Sequence, residues 1–126
     1  MTKKTIHTDA APAAVGTYSQ AVKVGQFVFI SGQIPFVPET MEIVAGDFAA
    51  RARQVFENLK AIAEESGGSL NDAVKLTIFL TDLGNFATVN EVMAEYCDEP
   101  YPARAAVQVA ALPKGVDVEA DAILAV

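Results

Sequence analysis

The stretch Asp47–Ser66 sets the tightest limit on what this chain can fold into. Phe48, Ala52, Val55, Phe56, Leu59, Ile62 and Ala63 recur there at intervals of three and four. That spacing gathers them on one stripe of an α-helix. Arg51, Arg53, Glu57, Lys60 and Glu64 fill the other faces. Asp47 suits the cap of the first turn, and Gly67-Gly68 the stop. A helix with one apolar stripe must bury it against a second layer. A candidate for that layer follows directly. Val74, Leu76, Ile78 and Leu80 alternate with Lys75, Thr77, Phe79 and Thr81, which predicts a strand with one well-buried face.

The remaining segments extend this layer. Lys4–Thr8 reads as a short first strand, and the Ala- and Pro-rich run from Asp9 to Gly16 as a loop. Ala21–Val24 and Phe27–Ile30 flank Gly25-Gln26, a tight hairpin turn. Ser31-Gly32 ends that strand, where a glycine lets a ligand or another backbone come close. Pro35 and Pro38 break it, and a turn at Glu39-Thr40 leads to Met41–Val44. A second helix is predicted from about Asn85 to Cys97, with Phe86, Val89 and Met93 inward. Two strands follow, Ala103–Leu112 and Val116–Val126, with Pro113-Lys114-Gly115 reading as a hairpin loop. The expected fold is a single α+β domain over residues 1–126, with a mixed sheet of about six strands and two helices on one face.

Composition narrows the function classes. The 126 residues are 52% hydrophobic, so the chain can build a core, and it carries a net charge of −7. Its nine Lys and Arg form no basic run, which speaks against nucleic-acid binding. One cysteine, Cys97, excludes an internal disulfide and a cysteine-rich zinc site. No metal site is expected. No segment reaches the apolar length that spans a bilayer, and the N-terminus lacks a signal-peptide pattern. The expectation is a cytoplasmic protein without membrane partners.

The chemistry concentrates in the last two predicted strands. On Ala103–Leu112, alternation sets Arg104, Ala106, Gln108 and Ala110 on one face. A guanidinium beside small alanines faces a gap that a larger side chain would fill. It can bind a carboxylate there through two parallel, charge-assisted hydrogen bonds. An ordinary ion pair, within or between subunits, fits the same spacing. On the next strand Asp117, Glu119 and Asp121 share a face. If the two strands form a hairpin with a four-residue loop, Gln108 pairs with Glu119. Arg104 and Glu119 then lie on one face about 13 Å apart, close enough to bracket a three- or four-carbon acid. A one-residue change of register would separate them.

Other candidates have plain structural alternatives. Tyr18 is a phenol for a cleft or a half-buried ring, and Ser31 a ligand donor or a strand cap. Asn90 is a pocket amide or a solvent-facing one. Cys97 and His7 read as a packed helix residue and a surface side chain.

These residues carry a family resemblance. The run Pro102-Ala103-Arg104-Ala105-Ala106-Val107, then Ala110, Leu112, Pro113 and Val118-Glu119, resembles the reactive-intermediate deaminase family, RidA, formerly YjgF. Ala11–Gln20, Ile30–Pro35 and Phe86–Asn90 support it, and the similarity spans essentially the whole chain. The resemblance implies chorismate-mutase-like subunits assembled as a trimer, with active sites between subunits and no cofactor. It implies hydrolysis of 2-imino acids, such as those released by serine and threonine dehydratases, to 2-oxo acids and ammonia. Arg104 would bind the carboxylate and Glu119 activate water. Tyr18, Ser31, Asn90 and the backbone at Ala106 would contact substrate. Ala106 stands where many bacterial members have cysteine. The competing readings are a non-catalytic carboxylate-binding or chaperone-like module, and a ribonuclease or translation inhibitor.

Overall fold

The computed structural model describes residues 2–126. Helix α1 (Phe48–Glu65) forms where the apolar stripe predicts it. The Asp47 carboxylate accepts from the Ala50 N–H at 3.0 Å and caps its start. Gly67, at φ 96°, ends it in the left-handed region that glycine adopts without strain. Val55, Phe56, Leu59 and Ile62 are fully buried, and each stabilises the fold by about 1.5–3 kcal/mol relative to exposure. Helix α2 (Phe86–Tyr96) packs on α1, burying Val89, Val92 and Met93.

The strands are β1 (Lys4–Ile6), β2 (Ala21–Val24), β3 (Phe27–Gln33), β4 (Phe36–Val37), β5 (Glu42–Ile43), β6 (Ala73–Leu80), β7 (Ala103–Gln108) and β8 (Val118–Ala125). Six form one sheet in the order β1-β2-β3-β8-β6-β7, and β4 with β5 makes a separate small hairpin. The sheet is mixed because β6 and β7 run parallel while the other pairs are antiparallel. The Gly25-Gln26 turn joins β2 to β3 as expected, with Gly25 at φ 60°.

The last two strands do not form the expected hairpin. β6 lies between β7 and β8, parallel to the first and antiparallel to the second. Helix α2 is the reason. Parallel neighbours need a long crossover connection, and α2 provides it between β6 and β7. That pairing occupies one edge of β6. The other edge is left for β8, which inserts between β6 and β3. Residues 109–117 therefore pass over the end of β6 instead of turning tightly. The Val109 N–H donates to the Leu80 carbonyl at 2.8 Å, and the Thr81 N–H to the Asp117 carbonyl at 3.3 Å. Arg51 of α1 grips the Asp117 carboxylate with two bonds of 2.9 Å and ties this crossover to the helix layer.

Both helices cover one face of the sheet. Val28, Ile30, Leu76, Ile78, Leu80, Val118, Ala120, Ala122 and Leu124 point into that core and are buried. The opposite face carries no helix, and Phe27, Phe29 and Val107 are 43%, 48% and 41% exposed there. No helix among the described residues is long and apolar enough to cross a membrane.

Candidate active site

Paired residues on adjacent strands point to the same side of a sheet. Arg104 pairs with Leu76, so its side chain leaves on the helix side. Glu119 pairs with Phe79 and faces the bare side. The two leading candidates thus stand on opposite faces of one sheet, not together on one face as the hairpin register predicted. The difference is one residue. The hairpin would set Arg104 level with Ile123, whereas through Leu76 it is level with Ala122. A one-residue step exchanges the faces.

Arg104 is held in a cradle. Its guanidinium lies 4.8 Å from the Phe86 ring centroid, within reach of the ring's negative face. Its Nη1 donates to Asn90 Oδ1 at 2.8 Å and lies 3.7 Å from Met93 Sδ. Phe86, Asn90 and Met93 follow at four- and three-residue steps, so α2 presents them as one row against β7. Nε and Nη2 donate to no protein group among the described residues, which leaves one edge of the guanidinium for a carboxylate. Ala106 follows Arg104 on the same face, and with Leu83, Phe86 and Arg104 it lines an open recess of about 420 Å³.

Glu119 occupies a second recess, of about 650 Å³, shared with Tyr18, Gly32, Gln33 and Lys114. Its carboxylate rests directly on Gly32, where a Cβ would stand 3.0 Å from Glu119 Cδ. The close approach that a glycine was expected to permit at this position is made by the glutamate. Gly32 falls in the irregularity of β3 between Ile30 and Gln33. Burial, and next the charge of Asp121, hold the Glu119 carboxyl above the usual carboxylate range. A carboxylate so raised is a stronger base than one in water. Burial also raises Asp121, against the opposing pull of a Thr77 hydrogen bond and Lys75.

The remaining candidates divide between these two places. Tyr18 is half-exposed at the Glu119 recess, its hydroxyl accepting from the Val15 N–H at 3.4 Å. The Ser31 hydroxyl donates to the Ser19 carbonyl at 2.6 Å, so it pins the strand that bears Gly32 to the loop that bears Tyr18. Ser31 lines neither recess. Asn90 and Ala106 belong with Arg104. His7 is an exposed partner of Asp9, and Cys97 is buried, its thiol pushed up chiefly by that burial. Sequence reasoning placed Phe86 inward as a core residue and passed over Leu83. The signal for Phe86 was its position one helical turn before Asn90.

The family model described as endoribonuclease L-PSP matches residues 8–126. TdcF of Escherichia coli K12, named as a reactive intermediate deaminase, is 51% identical over 96% of this chain and 95% of its own. The chain belongs to the RidA family. RidA from the Antarctic bacterium Psychrobacter sp. PAMC 21119 shares 66% identity and a TM-score of 0.94, over 98% of this chain and 99% of that one. A crystal structure of E. coli TdcF with bound serine superimposes with a TM-score of 0.91 at 48% identity, covering 98% of each chain. A RidA relative from Dermatophagoides farinae, 44% identical over 98% of this chain and 97% of its own, is named a 2-iminobutanoate/2-iminopropanoate deaminase.

Proposed function

We propose that this protein hydrolyses small 2-imino acids to 2-oxo acids and ammonia, in sites shared between the protomers of a cytoplasmic homotrimer. The observation that carries the reading is the Arg104 cradle. A guanidinium fixed by Phe86 and Asn90, with one edge free, is pre-organised for a small carboxylate. Glu119, raised in basicity, takes the proton of a water whose oxygen bonds to the imine carbon. The C=N double bond becomes a single bond, and the proton held by Glu119 passes to the nitrogen. The carbinolamine O–H proton then follows to the nitrogen by way of Glu119, the C–N bond breaks to release ammonia, and the C–O bond becomes the carbonyl. Tyr18 and Asn90 line the two halves of this site, and the Ala106 backbone lies beside Arg104. None of these steps calls on a metal or an organic cofactor.

Arg104 and Glu119 face opposite sides of one sheet, so one protomer cannot offer both to one substrate. A neighbour must supply the second half. The bare sheet face, with Phe27 and Phe29 exposed, is the kind of apolar surface that a second copy covers. Against the ribonuclease reading stands the net charge of −7, which repels phosphates.

The decisive test mixes variants. Arg104→Ala and Glu119→Ala are each expected to lose at least about 100-fold in the rate at which they clear imine from a threonine dehydratase reaction. Unfolded and refolded together in equal amounts, they regain about a quarter of wild-type activity, because one in four interfaces then joins two intact halves. No acceleration by the wild type refutes the deaminase reading. Active single variants refute the residue roles, and no recovery on mixing refutes the shared site.

A further inference from the structure

We propose that Gln20, a buried amide that lines neither recess, is the positioning residue for Glu119, because it latches the loop of residues 8–20 over the recess in which that carboxylate works. The role rests on the deaminase reading. Gln20 is 2% exposed, and its side chain is bonded to backbone groups alone. Oε1 accepts from the Thr8 N–H at 2.7 Å, and Nε2 donates to the carbonyls of Thr8, Ala11 and Pro12 at 3.0, 3.3 and 2.8 Å. These partners need an acceptor and a donor on one short fork. A carboxamide carries both, an ionised carboxylate has no donor, and an alkyl chain has neither. The bonds close residues 8–20 into a loop whose two ends are held together.

That loop is one wall of the Glu119 recess, to which it contributes Pro12, Ala13, Val15 and Tyr18. The main chain of Gln20 fastens the opposite side. Its carbonyl accepts from the Ser31 N–H at 2.9 Å, beside the Gly32 on which the Glu119 carboxylate rests. One residue therefore ties the wall, through its side chain, to the strand beneath Glu119, through its backbone. Without the amide, the Thr8 N–H and three carbonyls lose their partner. Ala11 is itself 2% exposed, so these groups regain hydrogen bonds only by moving out to water. The wall then parts from Glu119 and water enters the recess. Burial is the first cause that holds the Glu119 carboxyl above the usual carboxylate range, and hydration removes it, leaving a weaker base. The other titratable groups at or beside this carboxyl are Asp121, Tyr18 and Lys114, and none of them bonds to the Gln20 side chain. Arg104 leaves the sheet on the opposite face.

The experiment compares the intact wild-type oligomer with Gln20→Leu, Gln20→Glu and Val55→Ala, using imine supplied by a threonine dehydratase. Gln20→Glu keeps the volume and the Thr8 N–H bond, which secures a folded variant. Val55 is a core residue that lines neither recess, so Val55→Ala reports what lost stability does by itself. Both Gln20 variants should lose at least about tenfold in kcat, with KM changed less than about threefold. In Gln20→Leu the acid limb of the kcat profile should also move down by about half a pH unit or more, as the base is hydrated. Val55→Ala should melt lower and keep both kcat and the limb. Folded Gln20 variants with kcat within about threefold of wild type, or a Gln20→Leu limb that stays where it is, overturn the role and leave the deaminase reading intact. If the wild type itself clears no imine, the deaminase reading fails separately, and amide hydrogen exchange then tests the latch. Exchange at least about tenfold faster in residues 13–19 of Gln20→Leu, with β3 and β8 as protected as before, supports it. Unchanged exchange in that loop overturns it.

Discussion

A methyl group added at Gly32 is expected to displace the Glu119 carboxylate, the proposed base, without unfolding the protein. The Cβ of Gly32→Ala would stand 3.0 Å from Glu119 Cδ and 3.3 Å from Cγ. Carbon atoms pack comfortably at about 3.5–4.0 Å, so the carboxyl group must retreat by about 0.5–1 Å, and its nearer oxygen further. What gives way is the end of a flexible side chain and not backbone, so the sheet stays paired. A reacting group misplaced by about 1 Å costs on the order of 100-fold in rate, or about 2.7 kcal/mol of activation free energy. Arg104 lies on the other face of the sheet, so the loss should fall on kcat with KM changed less than about threefold. Steady-state imine clearance gives the split, and circular dichroism with sedimentation velocity verifies fold and assembly. The double variant Gly32→Ala/Glu119→Gln should be no slower than Glu119→Gln alone, since both act on one group. A folded Gly32→Ala protein with kcat within about threefold of wild type would refute the reasoning, as would losses that simply multiply in the double variant.

Two further outcomes follow from the same geometry. Because the Glu119 carboxyl is raised by burial and by Asp121, kcat/KM should fall with decreasing pH through a pKa above that of free glutamate. The fold favours its protonated form, so stability it contributes below the unfolded pKa is lost as pH rises through the folded one. Glu119→Gln should therefore melt higher at neutral pH and show no such limb in any residual rate, which pH profiles and thermal scans measure. Phe29→Asp, placed on the bare face where Phe29 is 48% exposed, should leave protomers in sedimentation equilibrium and abolish turnover. A fully assembled, active Phe29→Asp protein would remove that face from the assembly.

The sequence alone determined most of what rests on local periodicity. The stripe from Phe48 to Ala63 fixed α1, and Asp47 its cap. The alternation of β6 sorted Leu76, Ile78 and Leu80 into the core, although Val74, expected with them, is 45% exposed where the register slips between Ala73 and Lys75, and on the last strand it put Asp117, Glu119 and Asp121 on one face. Arg104 stood out because a cation beside alanines has no place in an ordinary core face, and the motif around it pointed to the RidA family. Sequence could not say which strand lies beside which. Alternation repeats every two residues and is the same for any neighbour, and Pro113-Lys114-Gly115 serves equally as a hairpin loop or as part of a crossover. Tertiary structure decided this by spending one edge of β6 on β7, through α2, and the other on β8. That insertion shifted Arg104 against β8 by one residue relative to the hairpin, and one residue is the difference between one face of a sheet and the other. The separation of Arg104 and Glu119 onto opposite faces follows from that single step of register, and the proposed site completed by a second protomer rests on it.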